Sequence, residues 1–383
     1  MQRSTKLVHN CALTDAATRA SSPAIQRGST FDQRPGGGPS PYAYSRVSNP
    51  TRAVLEQTLC ELEEGRHGFA FASGMAAIAA VFQLFEPGDH VVLPHDLYGG
   101  TFQLCESLAA QGRLAISYAD TSSLADVEQA IRPQTRALYV ETPSNPCLRI
   151  ADLKALAALG RERGLITIAD NTFMSPYLQR PLSLGFDLVI HSATKFLGGH
   201  SDVLAGAAIT QREDLADRLH QVQIMYGGIL SPDDSWLVLR GIKTLGIRMD
   251  REQQNAMQLA EFLARRPDVS QVYYPGLSTH PGHVLHMEQA DGPGAVLSIE
   301  LSPAVRVQDV VAHLQLAIFA VSLGGVETIV SHPATMSHGR VPAEIRQRMG
   351  VSDQLLRIST GIEAIEDLMA DFEGALTAAS SRG

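Results

Sequence analysis

What most constrains this chain is the way short apolar runs alternate with helical patterns. HGFAFA (67–72), HVVLP (90–94), LAISY (114–118), RALYVE (136–141), LITIAD (165–170) and FDLVIHS (186–192) are each too short to be helices that bury a face. Most are separated by helical stretches such as ADLKALAALGRERG, which stops at Gly164. Strands alternating with helices imply βαβ units and a mostly parallel sheet covered on both faces. Ligands of such sheets lie beyond the carboxyl ends of the strands. Ser73, Tyr98, Asn145, Asp170 and Ser192 are therefore the positions to weigh first.

A length of 383 residues suggests two or three domains. Residues 1–48 read as an irregular arm, with Asp32 to Pro41 (DQRPGGGPSP) expected to be a mobile loop. Order resumes at Asn49-Pro50, an N-cap followed by proline at the first helical position. That helix carries Val54, Leu55, Leu59 and Leu62 on one face and is expected to stop at Gly65. Residues 49–240 then form a large α/β domain. Past Leu239 the pattern changes to a long polar helix (248–266), strands VYYPG and GAVLSIEL, a helix near Val307 to Leu316 and a last helix near 364–379. Residues 241–383 read as a smaller α+β domain.

Composition narrows the function. Hydrophobic residues make up 44% and charged residues 19%, ordinary for a globular protein with a sizeable core. Net charge is −9 with no block of Lys or Arg, which argues against a nucleic-acid partner. The longest apolar stretch, GMAAIAAVFQLF, is too short to span a bilayer, and the first residues carry no apolar signal core. Cys11, Cys60, Cys105 and Cys147 form no C-x-x-C pair, which suggests reduced thiols in a cytoplasm.

The chemically loaded segment is HSATKFLGGHSDVLAG (191–206). Lys195 follows the strand FDLVI between Ser192/Thr194 and a Gly-Gly turn, and Asp170 ends another strand ahead of Asn171-Thr172. A lysine that forms a Schiff base with pyridoxal phosphate (PLP) needs an acidic partner at the pyridine nitrogen, which keeps the ring able to accept electrons. The phosphate needs fixed donors. Ser73-Gly74-Met75 sits at a strand-to-helix junction, where free N–H groups favour anions. The hydroxyls of Ser192 and Thr194 would add two more.

Together with YAYSRVSNPTRAVLE, PHDLYGGTF, ETPSNP, DNTFMSPYLQRPLSLGFDLVIHSATKFLGGHSD, YYPG, SLGG and LLRISTGIE, these motifs span nearly the whole chain. The sequence resembles the PLP enzymes of Cys/Met metabolism, the trans-sulfuration family that includes cystathionine β-lyase, γ-lyase and γ-synthase. The resemblance implies a fold-type I PLP-dependent transferase with a seven-stranded sheet. It implies Lys195 as Schiff-base lysine and proton shuttle, Asp170 at the ring nitrogen and Tyr98 stacked on the ring. Gly74, Met75, Ser192 and Thr194 would hold the phosphate, with Tyr44 and Arg46 reaching it from a neighbouring subunit. Asn145, Ser322 and Arg357 would position the substrate, Arg357 by a bidentate pair to its α-carboxylate. It further implies a homo-oligomer, at least a dimer and by family habit a tetramer. Taken singly, Tyr98 reads as a surface aromatic, Arg46 as a solvated charge and Arg357 as an edge-strand arginine. The constellation favours the functional readings.

These core residues serve β-elimination, γ-elimination and γ-replacement alike, so the choice falls to residues around the distal part of the substrate. Synthases that use O-succinylhomoserine typically carry arginines where this chain has Val47 and Gln103, and a buried carboxylate without such a partner is costly. γ-Lyases and γ-synthases usually have Glu where this chain has Val321. Methionine γ-lyases share an apolar residue there but have Cys at the position of Gly100 and a Lys-Asp pair at Gln223-Ile224. The expectation is a C–S lyase acting on L-cystathionine, preferably by β-elimination. The alternatives are γ-elimination, synthesis from an O-acyl homoserine, and a non-catalytic regulator on the same fold. His280, His283 and His286 suggest a metal cluster, but they lack carboxylate or Cys partners at matching spacing and read better as a histidine-bearing loop. His332 and His338 are either structural or one layer behind the site.

Overall fold

The asparagine-proline start is built as its chemistry requires. In the computed structural model, which describes residues 1–15, 17–34 and 40–381, Asn49 Oδ1 accepts the N–H groups of Thr51 and Arg52 at 2.9 and 3.2 Å. The helix Pro50–Glu63 that follows closes on Glu64 in the left-handed conformation, one residue before the glycine expected to stop it. The helix Leu153–Arg163 ends on Gly164 at φ 66°, where glycine carries no Cβ penalty. Residues 35–39 of the Gly/Pro loop lie outside the described residues. The rest of the arm is less irregular than expected. Arg3–Val8 forms a short helix, and Thr30 pairs with Tyr44 in an isolated antiparallel bridge.

The strands fall into a sheet of seven and a sheet of five. The first comprises β1 (His67–Phe71), β2 (His90–Pro94), β3 (Ala115–Ala119), β4 (Thr135–Glu141), β5 (Ile166–Asp170), β6 (Leu188–His191) and β7 (Gly206–Thr210). The second comprises β8 (Val269–Tyr273), β9 (Val296–Leu301), β10 (Ile318–Phe319), β11 (Ile329–Ser331) and β12 (Leu355–Ser359). The chain divides into two units, Met1–Glu86 with Ile168–Gly246, and Pro87–Thr167 with Ile247–Gly383.

The first unit carries β1, β7, β6 and the carboxyl end of β5, in that order. β5 and β6 run parallel, whereas β7 is antiparallel to both β6 and β1. Leu188, Val189 and Ile190 are fully buried, as a central strand of a sheet covered on both faces should be. The second unit carries β4-β2-β3, all parallel, and the five-stranded sheet in the order β10-β11-β12-β9-β8. Ala256, Leu259, Ala260 and Leu263 form an i, i+3, i+4, i+7 stripe on the helix Leu245–Leu263. The stripe packs with Leu297, Ile299, Leu356, Ile358 and Phe372 in one core cluster. The architecture is α/β with a mostly parallel seven-stranded sheet and a second, smaller sheet. Among the described residues, no helix is long and apolar enough to cross a membrane.

One polar group in this second unit titrates in an unusual range. Glu252 is fully buried, and neither carboxylate oxygen has a hydrogen-bond partner. Burial pushes its pKa up to about 8, against the pull of Arg248 and helped by Glu363 and Glu327. The folded chain therefore holds this proton more tightly than the unfolded chain, where a glutamate titrates near 4.5. Stability drains away as pH rises from about 4.5 to about 8. Urea unfolding across that range should show Glu252→Gln gaining on the parent as pH rises, by roughly a few kcal/mol at the alkaline end. Parallel curves would show that Glu252 is ionised throughout.

Candidate active site

In the first unit, strand ends and a helix start supply the chemical groups. Ser73 caps the helix Gly74–Phe82, its hydroxyl accepting Ala76 N–H at 3.1 Å. The first-turn amides of a helix have no intrahelical acceptor, so Gly74 and Met75 present N–H groups at a positive helix end. Gly74 is required by crowding: an added Cβ would lie 2.8 Å from Ser192 Cβ and 2.9 Å from its Oγ. The Ser192 hydroxyl thus stands at the helix start. Thr194 lies nearby in sequence, but its hydroxyl is engaged with Ala205, donating to O at 3.1 Å and accepting from N–H at 2.9 Å. To donate to a phosphate it must leave that carbonyl.

Lys195 is half-buried in the turn after β6, its N–H bonded to Ser192 O at 3.1 Å. Asp170 ends β5, and its Oδ1 accepts both the N–H (3.0 Å) and the hydroxyl (2.5 Å) of Thr172. Behind these residues lies a network absent from the sequence reading. Glu63 and His191 are both buried and paired at 2.6 Å, and Asn171 Nδ2 donates to the same Glu63 oxygen at 2.9 Å. No short motif flags it, because Glu63 and His191 are far apart in the chain.

Tyr44 and Arg46 sit together on the arm. The Arg46 guanidinium lies 5.5 Å from the Tyr44 ring centroid, and its Nη1 donates to Ile224 O at 2.5 Å. Arg52, fully buried, fixes this segment by donating to Ser45 O and Val47 O at 2.7 and 3.1 Å.

In the second unit, Arg357 on β12 is buried, with Nη1 donating to Asn145 Oδ1 at 2.9 Å and Nη2 to Ser322 O at 2.8 Å. Its Nε is buried without a hydrogen-bond partner. Burial pulls the guanidinium pKa down to about 10, opposed by Glu141 and Tyr98. Ser322 adopts φ 89°, a conformation that costs a residue with a side chain on the order of 1–3 kcal/mol. Such strain is characteristic of ligand clamps. Tyr98 is exposed, and its N–H donates to Glu141 at 3.0 Å. Leu97 O, beside it, accepts from His338 Nε2 at 3.2 Å.

Two of the three histidines at 280–286 serve the fold. His283 Nδ1 and His286 Nε2 bond the carbonyls of Pro275 and Gly292, and the segment read as a loop contains the helix His283–Gln289. No group of His, Cys, Asp or Glu among the described residues is arranged to hold a metal ion.

The model of the Cys/Met metabolism PLP-dependent enzyme family matches residues 4–377. The cystathionine beta-lyase of Bacillus subtilis (strain 168) is 49% identical over 372 residues, covering 97% of this chain and 95% of that protein. The cystathionine gamma-lyase of the same organism is 48% identical over 376 residues, covering 98% and 99%. Among solved structures, cystathionine gamma-lyase from Lactobacillus plantarum complexed with L-serine aligns with a TM-score of 0.97 at 44% identity over 99% of both chains. The donor set fits PLP on its own chemistry. A helix N-terminus with a hydroxyl and no intruding Cβ suits a phosphate, and an oriented carboxylate and a lysine end neighbouring strands.

Proposed function

The chain belongs to the PLP-dependent enzymes of Cys/Met metabolism, and from that premise we propose a carbon–sulfur lyase that cleaves L-cystathionine to homocysteine, pyruvate and ammonia. The observation that carries β-cleavage is Val321. The residue before the Arg357-bonded Ser322 is an exposed aliphatic side chain, where cystathionine γ-lyases and γ-synthases usually carry Glu. The 49% identity to a cystathionine beta-lyase supports the same reading. Its nearest rival is γ-elimination, favoured by the 48% identity to a cystathionine gamma-lyase.

PLP, when bound, supplies an electron sink for negative charge at the amino acid's α-carbon. The chain supplies the rest. Lys195 is the base that takes the α-proton, and once protonated it is the acid that can pass that proton to the departing sulfur. Asp170 pairs with the ring nitrogen, and Tyr98 covers the ring. The N–H groups of Gly74 and Met75, with Ser192 and Thr194, hold the phosphate, and Arg357 with Asn145 and Ser322 holds the α-carboxylate. Residues 1–48 act as an arm whose Tyr44 and Arg46 complete the phosphate site of a neighbouring subunit. Residues 49–240 serve as the cofactor-binding domain and 241–383 as the small domain. Exposed Leu204, Met225 and Tyr226 in the first unit suit a surface covered by a second copy, as a closed dimer and then a tetramer would require. The cysteines are free, in keeping with a reducing cytoplasm.

Identification of the 2-oxo acid by mass spectrometry after incubation with L-cystathionine tests the reaction. Pyruvate with homocysteine is expected. 2-Oxobutyrate with cysteine would make the enzyme a γ-lyase. Turnover confined to an O-acyl homoserine plus a thiol would sink the lyase reading.

A further inference from the structure

Asp170 and Ser192 follow one another across the carboxyl ends of two paired parallel strands, β5 and β6. One side chain spans them. Thr172 donates its N–H and its hydroxyl to Asp170 Oδ1, and its Oγ1 accepts Ser192 N–H at 2.8 Å. A hydroxyl carries a single proton. Because the Ser192 amide can only donate, that proton must point to Asp170. The order of donation therefore runs one way, from Ser192 through Thr172 to the carboxylate, and the threonine rotamer is held from both ends.

Both bonds land on Oδ1, so Thr172 sets the plane of the carboxylate without occupying Oδ2. A second brace joins the same two strand ends from behind, where Glu63 Oε1 receives Asn171 and His191. The two braces differ in kind. The Glu63 pair is fully buried, whereas Thr172 acts directly on the carboxylate read above as the ring-nitrogen partner.

We infer that Thr172 is a positioning residue whose hydroxyl aims Asp170 at the ring nitrogen and, by the same bond chain, fixes the Ser192 backbone at the phosphate. This rests on the roles given above to Asp170 and Ser192. One hydroxyl then couples the two ends of the cofactor's grip. Its loss disturbs ring and phosphate together, with no change to any group that contacts substrate.

The test compares Thr172→Val, Thr172→Ser and Asp170→Asn. Valine keeps the shape and the backbone N–H bond but removes both hydroxyl bonds. Thr172→Val should lower kcat on L-cystathionine about tenfold to a hundredfold, the worth of a hydrogen bond to a charged group, with KM within about twofold. It should also release PLP faster on dialysis and move the pH midpoint of the bound-cofactor absorption band. Thr172→Ser should restore all three properties. Should Thr172→Val not fold, Thr172→Ala is read in the same way. A variant that loses only melting temperature, with parental kcat and absorption midpoint, overturns the inference, as does a serine variant as impaired as the valine one. An inactive Asp170→Asn beside a parental Thr172→Val overturns this inference alone. Parental turnover and absorbance in Asp170→Asn overturn the reading of Asp170 itself.

Discussion

Lys195→Ala should lower turnover of L-cystathionine by about a thousandfold or more while leaving the melting temperature close to the parent's. The chemical half of that expectation follows from its role. When the base that removes the α-proton and can deliver it to the leaving sulfur is deleted, water is left to do its work. The structural half follows from how the backbone around it is held. Lys195 N–H bonds Ser192 O, Gly198 N–H bonds Ala193 O at 2.8 Å, and Gly199 N–H bonds Lys195 O at 2.7 Å. Buried Phe196 and Leu197 anchor the turn. None of these contacts uses the lysine side chain. Circular dichroism and thermal melting of the variant, beside a stopped assay for 2-oxo acid, check both halves. Residual turnover within about tenfold of the parent would mean that another group moves the proton.

That turn was readable from the sequence because every element of it is local. Strand, hydroxyls, lysine and glycines follow one another within HSATKFLGG, and the neighbouring parallel strands announce themselves as continuous apolar runs, since both faces are buried. β7 was not legible for the opposite reason. GAAIT is built from small residues, and what makes it a strand is its place between β1 and β6. There an added Cβ on Gly206 would lie 2.1 Å from Ser73 O. The helix Arg3–Val8 is too short for periodicity to show. His283–Gln289 carried histidines that drew attention to metal chemistry rather than to its helical hydrogen bonds. The Glu63–His191–Asn171 network and the Thr172 bridge were invisible for a third reason. They join residues brought together only when strands pair, and the residues are ordinary one by one.

Arg357 is the case in which function and stability should move in opposite directions. It is a buried guanidinium whose protein partners, Asn145 Oδ1 and Ser322 O, are both neutral, and whose Nε has no hydrogen-bond partner. With a pKa of about 10 it stays charged at neutral pH. A buried cation whose direct hydrogen bonds are to dipoles, with Glu141 offsetting only part of its burial, is costly to the folded chain, and a substrate carboxylate repays part of that cost on binding. Arg357→Lys keeps the charge but loses the planar fork, so KM for L-cystathionine should rise about tenfold to a hundredfold with a smaller change in kcat. Arg357→Met fills similar space with no charge. It should lower kcat/KM by about a hundredfold to a thousandfold, the range for truncating one side of a buried charge pair. The ligand-free methionine variant should melt no lower than the parent, and higher if desolvation outweighs the two hydrogen bonds lost. Unchanged KM in both variants would remove Arg357 from carboxylate binding. A methionine variant that loses both activity and several degrees of melting temperature would instead show that the arginine is held in place for the fold, with the strained Ser322 carbonyl serving it rather than the substrate.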